Sequence, residues 1–281
     1  MYRALSPGAI GIHVANLEAA VEAAVEGSFE GVEINAAEVA ARAPVEGIES
    51  LRAQFTGSAI LPAGFGLPFE WRGNEETWKD GLKSLPAAVR AAVALGCVRC
   101  TTYILPGSND RTLEENLQFH ADRLQPVAEI LANEGCRFGI EYIGTKSLRN
   151  QFKHPFLYTA KGMLELAAVI GHDTGLLVDS WHWYTARETV EDLLSLSPEQ
   201  IVYVHVNDAP AGVPRDELKD GERELPSATG VIPIASFINA LRTVGYNGPV
   251  VAEPFSAELK QLTTNRAKII RTSQAMKTIL P

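Results

Sequence analysis

The sequence predicts a single (β/α)8 barrel, an α/β fold with one domain spanning residues 1–281. Three observations carry that reading. An amphipathic helix, a glycine and a short apolar strand ending in polar residues recur in that order along the chain. Eight apolar strands alternate with helices, and near-continuous apolar strands joined in this way imply a parallel sheet buried on both faces. The length of 281 residues leaves roughly 35 residues for each of eight units, which suits a closed barrel. A doubly wound open sheet would ordinarily carry a phosphate loop such as GxGxxG after a strand, and none is found.

The first strand is expected at Ala9-Ile10-Gly11-Ile12-His13. Leu17–Glu26 follows as a helix stopped by Gly27, and Gly31-Val32-Glu33-Ile34-Asn35 as the second strand. Ala59-Ile60-Leu61 is the third. The helical stretch ending at Leu95 stops at Gly96 and leads into Arg99–Tyr103. A long helix from about Thr112 to Asn133 stops near Gly135, and Arg137-Phe138-Gly139-Ile140-Glu141 is the fifth strand. Ala160–Ile170 stops at Gly171, ahead of Gly175-Leu176-Leu177-Val178-Asp179. Ile201–Val206 is the seventh strand. Pro233–Val244 stops at Gly245, and Pro249-Val250-Val251-Ala252-Glu253 is the eighth. Glycine after a helix fits the left-handed conformation that ends many helices. Two stretches read as long loops on the catalytic face, Pro62–Asn74 and Asp208–Val231. The second is charged and offers little apolar surface, so it is expected to be more mobile without ligand.

Composition excludes several classes. A hydrophobic content of 46% with 21% charged residues is too apolar for disorder and too polar for a multi-span membrane protein. No apolar run reaches the roughly 20 residues of a membrane span, and no signal peptide is read at the N-terminus. The net charge of −9 opposes a nucleic-acid partner, which is normally bound through Lys and Arg. Three cysteines do not make a disulfide framework, and a cytoplasmic protein is expected. Cys97-Val98-Arg99-Cys100 has redox or zinc spacing, but no second pair follows, so the two thiols are read as packed core.

Polar residues gather at the C-terminal ends of the later strands: Glu141, Asp179, His205 with Asp208, and Glu253. A lone acid there is usually a turn or cap residue. Four such positions converge on one mouth in a barrel, and three converging carboxylates repel one another without a cation. One divalent ion resolves the repulsion. Oxygen ligands plus one imidazole suit Mn2+ or Mg2+ and permit Zn2+ or Co2+.

Val178-Asp179-Ser180-Trp181-His182, Val204-His205-Val206-Asn207-Asp208 and Val251-Ala252-Glu253-Pro254-Phe255 resemble strand-end motifs of the xylose-isomerase-like sugar isomerase and epimerase superfamily. Gly139-Ile140-Glu141-Tyr142-Ile143-Gly144, Gly175–His182 and the acidic loop Asp208–Arg223 resemble its inosose isomerase family most. The resemblance implies a TIM barrel with the metal on Glu141, Asp179, His205 and Glu253. It places His182 and Arg223 on the substrate and not on the metal. The implied enzyme isomerises a small keto-polyol, an inosose or a keto-sugar, through an enediolate, with Glu141 and Glu253 as proton carriers.

Two departures stand out. Ketose 3-epimerases of the superfamily carry a glutamate where this chain has Ser147, and the family's Pro-Gly turn after the arginine is replaced by Pro226-Ser227-Ala228-Thr229-Gly230. A dehydratase or a lyase on a 3-keto glycoside would begin with the same proton abstraction. A non-catalytic sugar-binding protein would not need all four ligand types. An AP-endonuclease-like hydrolase of the superfamily needs more histidines and a basic groove. His13, Glu33, Trp71, Tyr103, Trp181 and Trp183 are further candidates to line the pocket, whereas His120, His154 and His172 read as structural or surface residues.

Overall fold

The computed structural model describes all residues, Met1–Pro281. Eight parallel strands close into a barrel: β1 Tyr2–Leu5, β2 Gly31–Glu33, β3 Leu61–Gly66, β4 Arg99–Ile104, β5 Arg137–Tyr142, β6 Gly175–Asp179, β7 Ile201–Val206 and β8 Pro249–Ala252. The ring closes where β1 pairs with β8 on one side and β2 on the other. Helices form the outer layer, and the main apolar core lies between them and the strands. No helix is long and apolar enough to cross a membrane.

The later elements lie within a residue of their expected positions; β6, β7 and the helix Ala160–Ile170 match to the residue. Gly171 after that helix has φ +76°. Thr112 caps the long helix Leu113–Asn133, with Glu115 closing a capping box. The two early strands differ. The first strand is Tyr2–Leu5, and the segment expected in its place begins with a 3-10 turn, Gly8–Ile10. Pro7 has no backbone N–H for a sheet ladder, and the polar Arg3 hides the short strand by binding Glu30 outside the barrel. The third strand runs through Pro62-Ala63-Gly64-Phe65-Gly66, so the loop after it is shorter than expected. Small residues there leave room for an aromatic ring: a Cβ on Gly64 would stand 2.7 Å from the Tyr203 ring.

Strand alternation then places the site. Ala4, Ala63, Leu177, Tyr203 and Val251 form a small apolar cluster of their own, separate from the main core, and fill the barrel. Side chains two positions further along point the same way. On β6 and β7 these are Asp179 and His205, which are register partners; just beyond β8 it is Glu253, whose N–H bonds to the Val206 carbonyl at 3.1 Å. A polar layer thus caps an apolar one.

The long loop buries Leu218, Leu225 and Arg223. Asp208 fastens both of its ends. Its carboxylate accepts four backbone N–H bonds of 2.7–2.9 Å from Ala209, Thr229, Gly230 and Ile232. Its backbone pairs with Glu224 in both directions at 2.8 Å. Ser227 takes the left-handed conformation at φ +62°. The three cysteines are free and buried, and burial pushes the Cys136 thiol up to about 12, as packed core residues should behave.

Glu188, after the short helix Ser180–Thr185, ties that segment to the start of the helix Ala160–Ile170. Its Oε1 accepts the Ala160 N–H at 2.8 Å, and burial raises its pKa to about 7. A raised carboxyl binds more protons folded than unfolded, so stability falls as pH rises from about 4.5 to about 7. Glu188→Gln should remove a slope on the order of 2 kcal/mol across that window. Urea unfolding at pH 5 and pH 8 measures it, and an equal slope in both proteins would reject this origin.

Candidate functional site

Glu141 ends β5, Asp179 ends β6, His205 lies on β7 and Glu253 follows β8. One donor atom from each lies within 4.8 Å of the other three. Asp179 is fully buried, and Glu141 and His205 are each 8% exposed. The structure thus brings the four sequence-predicted ligand positions into one group.

The donor atoms fit a divalent cation. His205 Nδ1 stands 3.7 Å from Glu141 Oε1 and 3.6 Å from Glu253 Oε2. Donors bound about 2.0–2.3 Å from one ion at tetrahedral angles lie roughly 3.3–3.8 Å apart. Glu141 Oε1 and His205 Nδ1 are buried and lack any hydrogen-bond partner. Buried polar atoms are ordinarily satisfied, so orphaned donors aimed at a common centre mark a ligand position. The charges point the same way. Burial would lower the His205 pKa, yet Glu253 and Glu141 raise it well above the ordinary histidine range. Burial raises Glu141, while for Glu253 the His205 and Arg223 charges outweigh burial and hold it well below the usual range.

Arg223 brings a fixed positive charge to the group. Its Nη1 donates to Asp179 Oδ2 at 2.8 Å and to Glu253 Oε2 at 2.9 Å, and Nη2 donates to Asp220 Oδ1 at 3.1 Å. The Trp181 and Phe255 rings lie 5.2 and 4.8 Å from the guanidinium. Arg223 therefore touches two of the ligand carboxylates directly, a contact that sequence spacing gave no reason to expect.

His182 lies on the short helix Ser180–Thr185, which Asp179 caps through Oδ1 and the Trp181 N–H at 2.7 Å. Its Nδ1 accepts the Gly144 N–H at 3.2 Å, which puts the ring proton on Nε2 in that tautomer. Nε2 faces inward, 3.9 Å from Glu141 Oε1 and 3.8 Å from Asp220 Oδ1. Gly144 is required by this approach, since a Cβ there would stand 2.3 Å from the His182 carbonyl oxygen.

Three supporting residues escaped the sequence reading. Asn207 donates to Asp179 Oδ1 at 3.0 Å and fixes that carboxylate. Its signal is position: it lies two residues after His205 on the same inward face. Asp220 holds Arg223, and Thr145 donates to Asp220 at 3.0 Å while accepting from Trp181 Nε1 at 2.9 Å. Asp208 belongs to the loop and not to the ligand group. Ser147 donates to the Leu218 carbonyl at 2.6 Å, joining the loop after β5 to the long loop.

The aromatic candidates divide. Trp181 lies beneath Arg223. Trp71 and Tyr103 sandwich Arg72 at 4.2 and 4.0 Å. Trp183 packs on Phe237 in the helical layer, and His13 lines a cavity of about 430 Å3 that none of the four ligand-type residues borders. His120 is buried and stacked on Phe156, as a structural histidine.

Residues 21–278 match the xylose isomerase-like TIM barrel family. The chain is 30% identical to a xylose isomerase domain protein of Alicyclobacillus acidocaldarius, with TM-score 0.86 over 100% of this chain and 98% of the other. It superposes on a zinc-bound IOLI protein with TM-score 0.79 at 19% identity, over 100% of this chain and 98% of the other, and shares its fold. It is 26% identical over 157 residues to inosose isomerase of Bacillus subtilis. That match covers 55% of this chain and 52% of the relative, so it spans about half the length of each. On these matches, this chain belongs to the xylose isomerase-like TIM barrel family.

Proposed function

We propose that the protein is a divalent-metal-dependent isomerase or epimerase of a small keto-polyol, an inosose or a related keto-sugar. The observation that carries this is the buried group of four donors at the barrel mouth, with two of them orphaned. The inosose isomerase relative and the zinc-bound IOLI protein support the substrate class and the cation. The donor set favours Mn2+ and accommodates Mg2+, Co2+ or Zn2+.

Glu141, Asp179, His205 and Glu253 would hold the ion. Once bound, it supplies Lewis-acid polarisation of a carbonyl and its neighbouring hydroxyl, which eases proton loss at the carbon bearing that hydroxyl. Glu141 and Glu253 come from different strands, separated by β6 and β7, and are the candidate proton carriers. One takes the proton and the other returns it, provided each keeps an oxygen free. Asn207 and the Trp181 N–H hold Asp179 Oδ1, which orients that ligand. His182 presents Nε2–H to a substrate oxygen, and Arg223 offers a fixed positive charge beside it.

Incubating the Mn2+-loaded protein with 2-keto-myo-inositol in deuterated water tests the reading. Solvent deuterium should enter at the carbon beside the carbonyl and yield an isomer of unchanged skeleton. Loss of water or a cleaved product would instead assign a dehydratase or a lyase.

Glu253→Gln should keep the far-UV circular dichroism of the parent and lower turnover about 10²–10⁴-fold. Near-native turnover with metal present would move the proton carrier elsewhere.

His182→Ala and Arg223→Ala should retain metal, measured by elemental analysis. Each should lower kcat/KM by about 1–3 kcal/mol, the value of a hydrogen bond to a charged oxygen. Metal loss in His182→Ala would put that ring among the ligands, and unchanged kinetics in Arg223→Ala would remove it from the substrate.

A further inference from the structure

The four ligand-type residues come from β5 to β8 and the residue after it. The other half of the mouth is different. β1, β3 and β4 end in Leu5, Gly66 and Ile104, and β2 ends in Glu33. No lysine or arginine pairs with Glu33. Its Oε1 accepts one hydrogen bond, from the Tyr203 hydroxyl at 3.0 Å, and that donor comes from β7 across the barrel.

This link fixes Glu33 relative to the metal ligands. The Tyr203 ring is fully buried and meets the His205 ring edge-on, with centroids 5.6 Å apart and planes at 79°. Gly64 opens the space for it. One ring therefore positions a ligand histidine and a carboxyl on opposite sides of the mouth. Burial pushes the Glu33 carboxyl above the ordinary glutamate range, while His205 pulls it down and Glu253 pushes it up across the same space. A half-buried carboxyl without a countercharge is costly unless something uses it.

We propose that Glu33 is a specificity-determining residue that receives hydroxyl groups of the polyol on the side remote from the carbonyl. The inference rests on the keto-polyol reading above. A ring carrying hydroxyls around its rim has donors on both sides of the mouth, and a carboxyl takes two of them where an apolar wall would take none. An analogue lacking those hydroxyls leaves the buried carboxyl unpaired, which makes discrimination steep.

Calorimetric titration of Mn2+-loaded protein with myo-inositol, 2-keto-myo-inositol and deoxy analogues of myo-inositol tests this without needing turnover. Glu33→Gln keeps an acceptor for Tyr203 and should weaken polyol binding about ten-fold. Its discrimination against the deoxy analogue that lacks the contacted hydroxyl should fall by a similar factor, with Mn2+ affinity unchanged. Tyr203→Phe should alter binding less than Glu33→Gln does. Equal discrimination in parent and Glu33→Gln overturns the proposal, as does absence of polyol binding by the parent. If Tyr203→Phe and Glu33→Gln lose binding equally, Glu33 is an internal strut and the proposal also fails. Polyol binding that depends on Glu33, without deuterium exchange on the keto-inositol, would sustain this inference while removing the isomerase reading.

Discussion

Repulsion among Glu141, Asp179 and Glu253 is the constraint on which the rest of this structure depends. Three carboxylates whose oxygens gather within a few ångströms, behind a largely apolar wall, do not stay there uncompensated. Arg223 answers two of them directly, bonding to Asp179 and Glu253, and the group as a whole fits a divalent cation. The arginine comes from a loop rather than a strand, so compensation requires that this loop be held. Asp208 holds it with four backbone N–H bonds, and Leu218 and Leu225 anchor it in apolar surroundings.

The geometry of a strand makes that arrangement available. A two-residue period puts Tyr203, His205 and Asn207 on one inward line. The first fills the barrel, the second faces the carboxylates and the third orients Asp179. Val251 with Glu253, and Leu177 with Asp179, repeat the pattern. An apolar layer below and a polar layer above share the same strands, so core packing sets the positions of the ligand groups to within the rigidity of the barrel.

The same layering makes the mouth asymmetric. Metal-type donors occupy the half built by β5 to β8, and Glu33 stands alone on the facing half. Tyr203 joins the two through its ring contact with His205 and its hydroxyl bond to Glu33. Ser147 ties the loop after β5 to the long loop.

Periodic signals were legible in the chain alone. The apolar runs of β5 to β8, the glycine after Ala160–Ile170 and the polar residue at each later strand end are local patterns, and the structure places all of them as expected. Tyr2–Leu5 and Leu61–Gly66 were not legible. A four-residue strand has too few alternations to register, and Pro62, Gly64 and Gly66 look like a loop until a Tyr203 ring from 139 residues later is seen to need the space. The loop's residue types likewise announced charge but not partners. That Arg223 lies on Asp179 and Glu253, that Asp208 is a staple, and that Tyr203 reaches Glu33 across the barrel are contacts between distant segments. Such contacts follow from barrel closure, which only the folded chain brings about, whereas strand-end chemistry is written into each unit before the units meet.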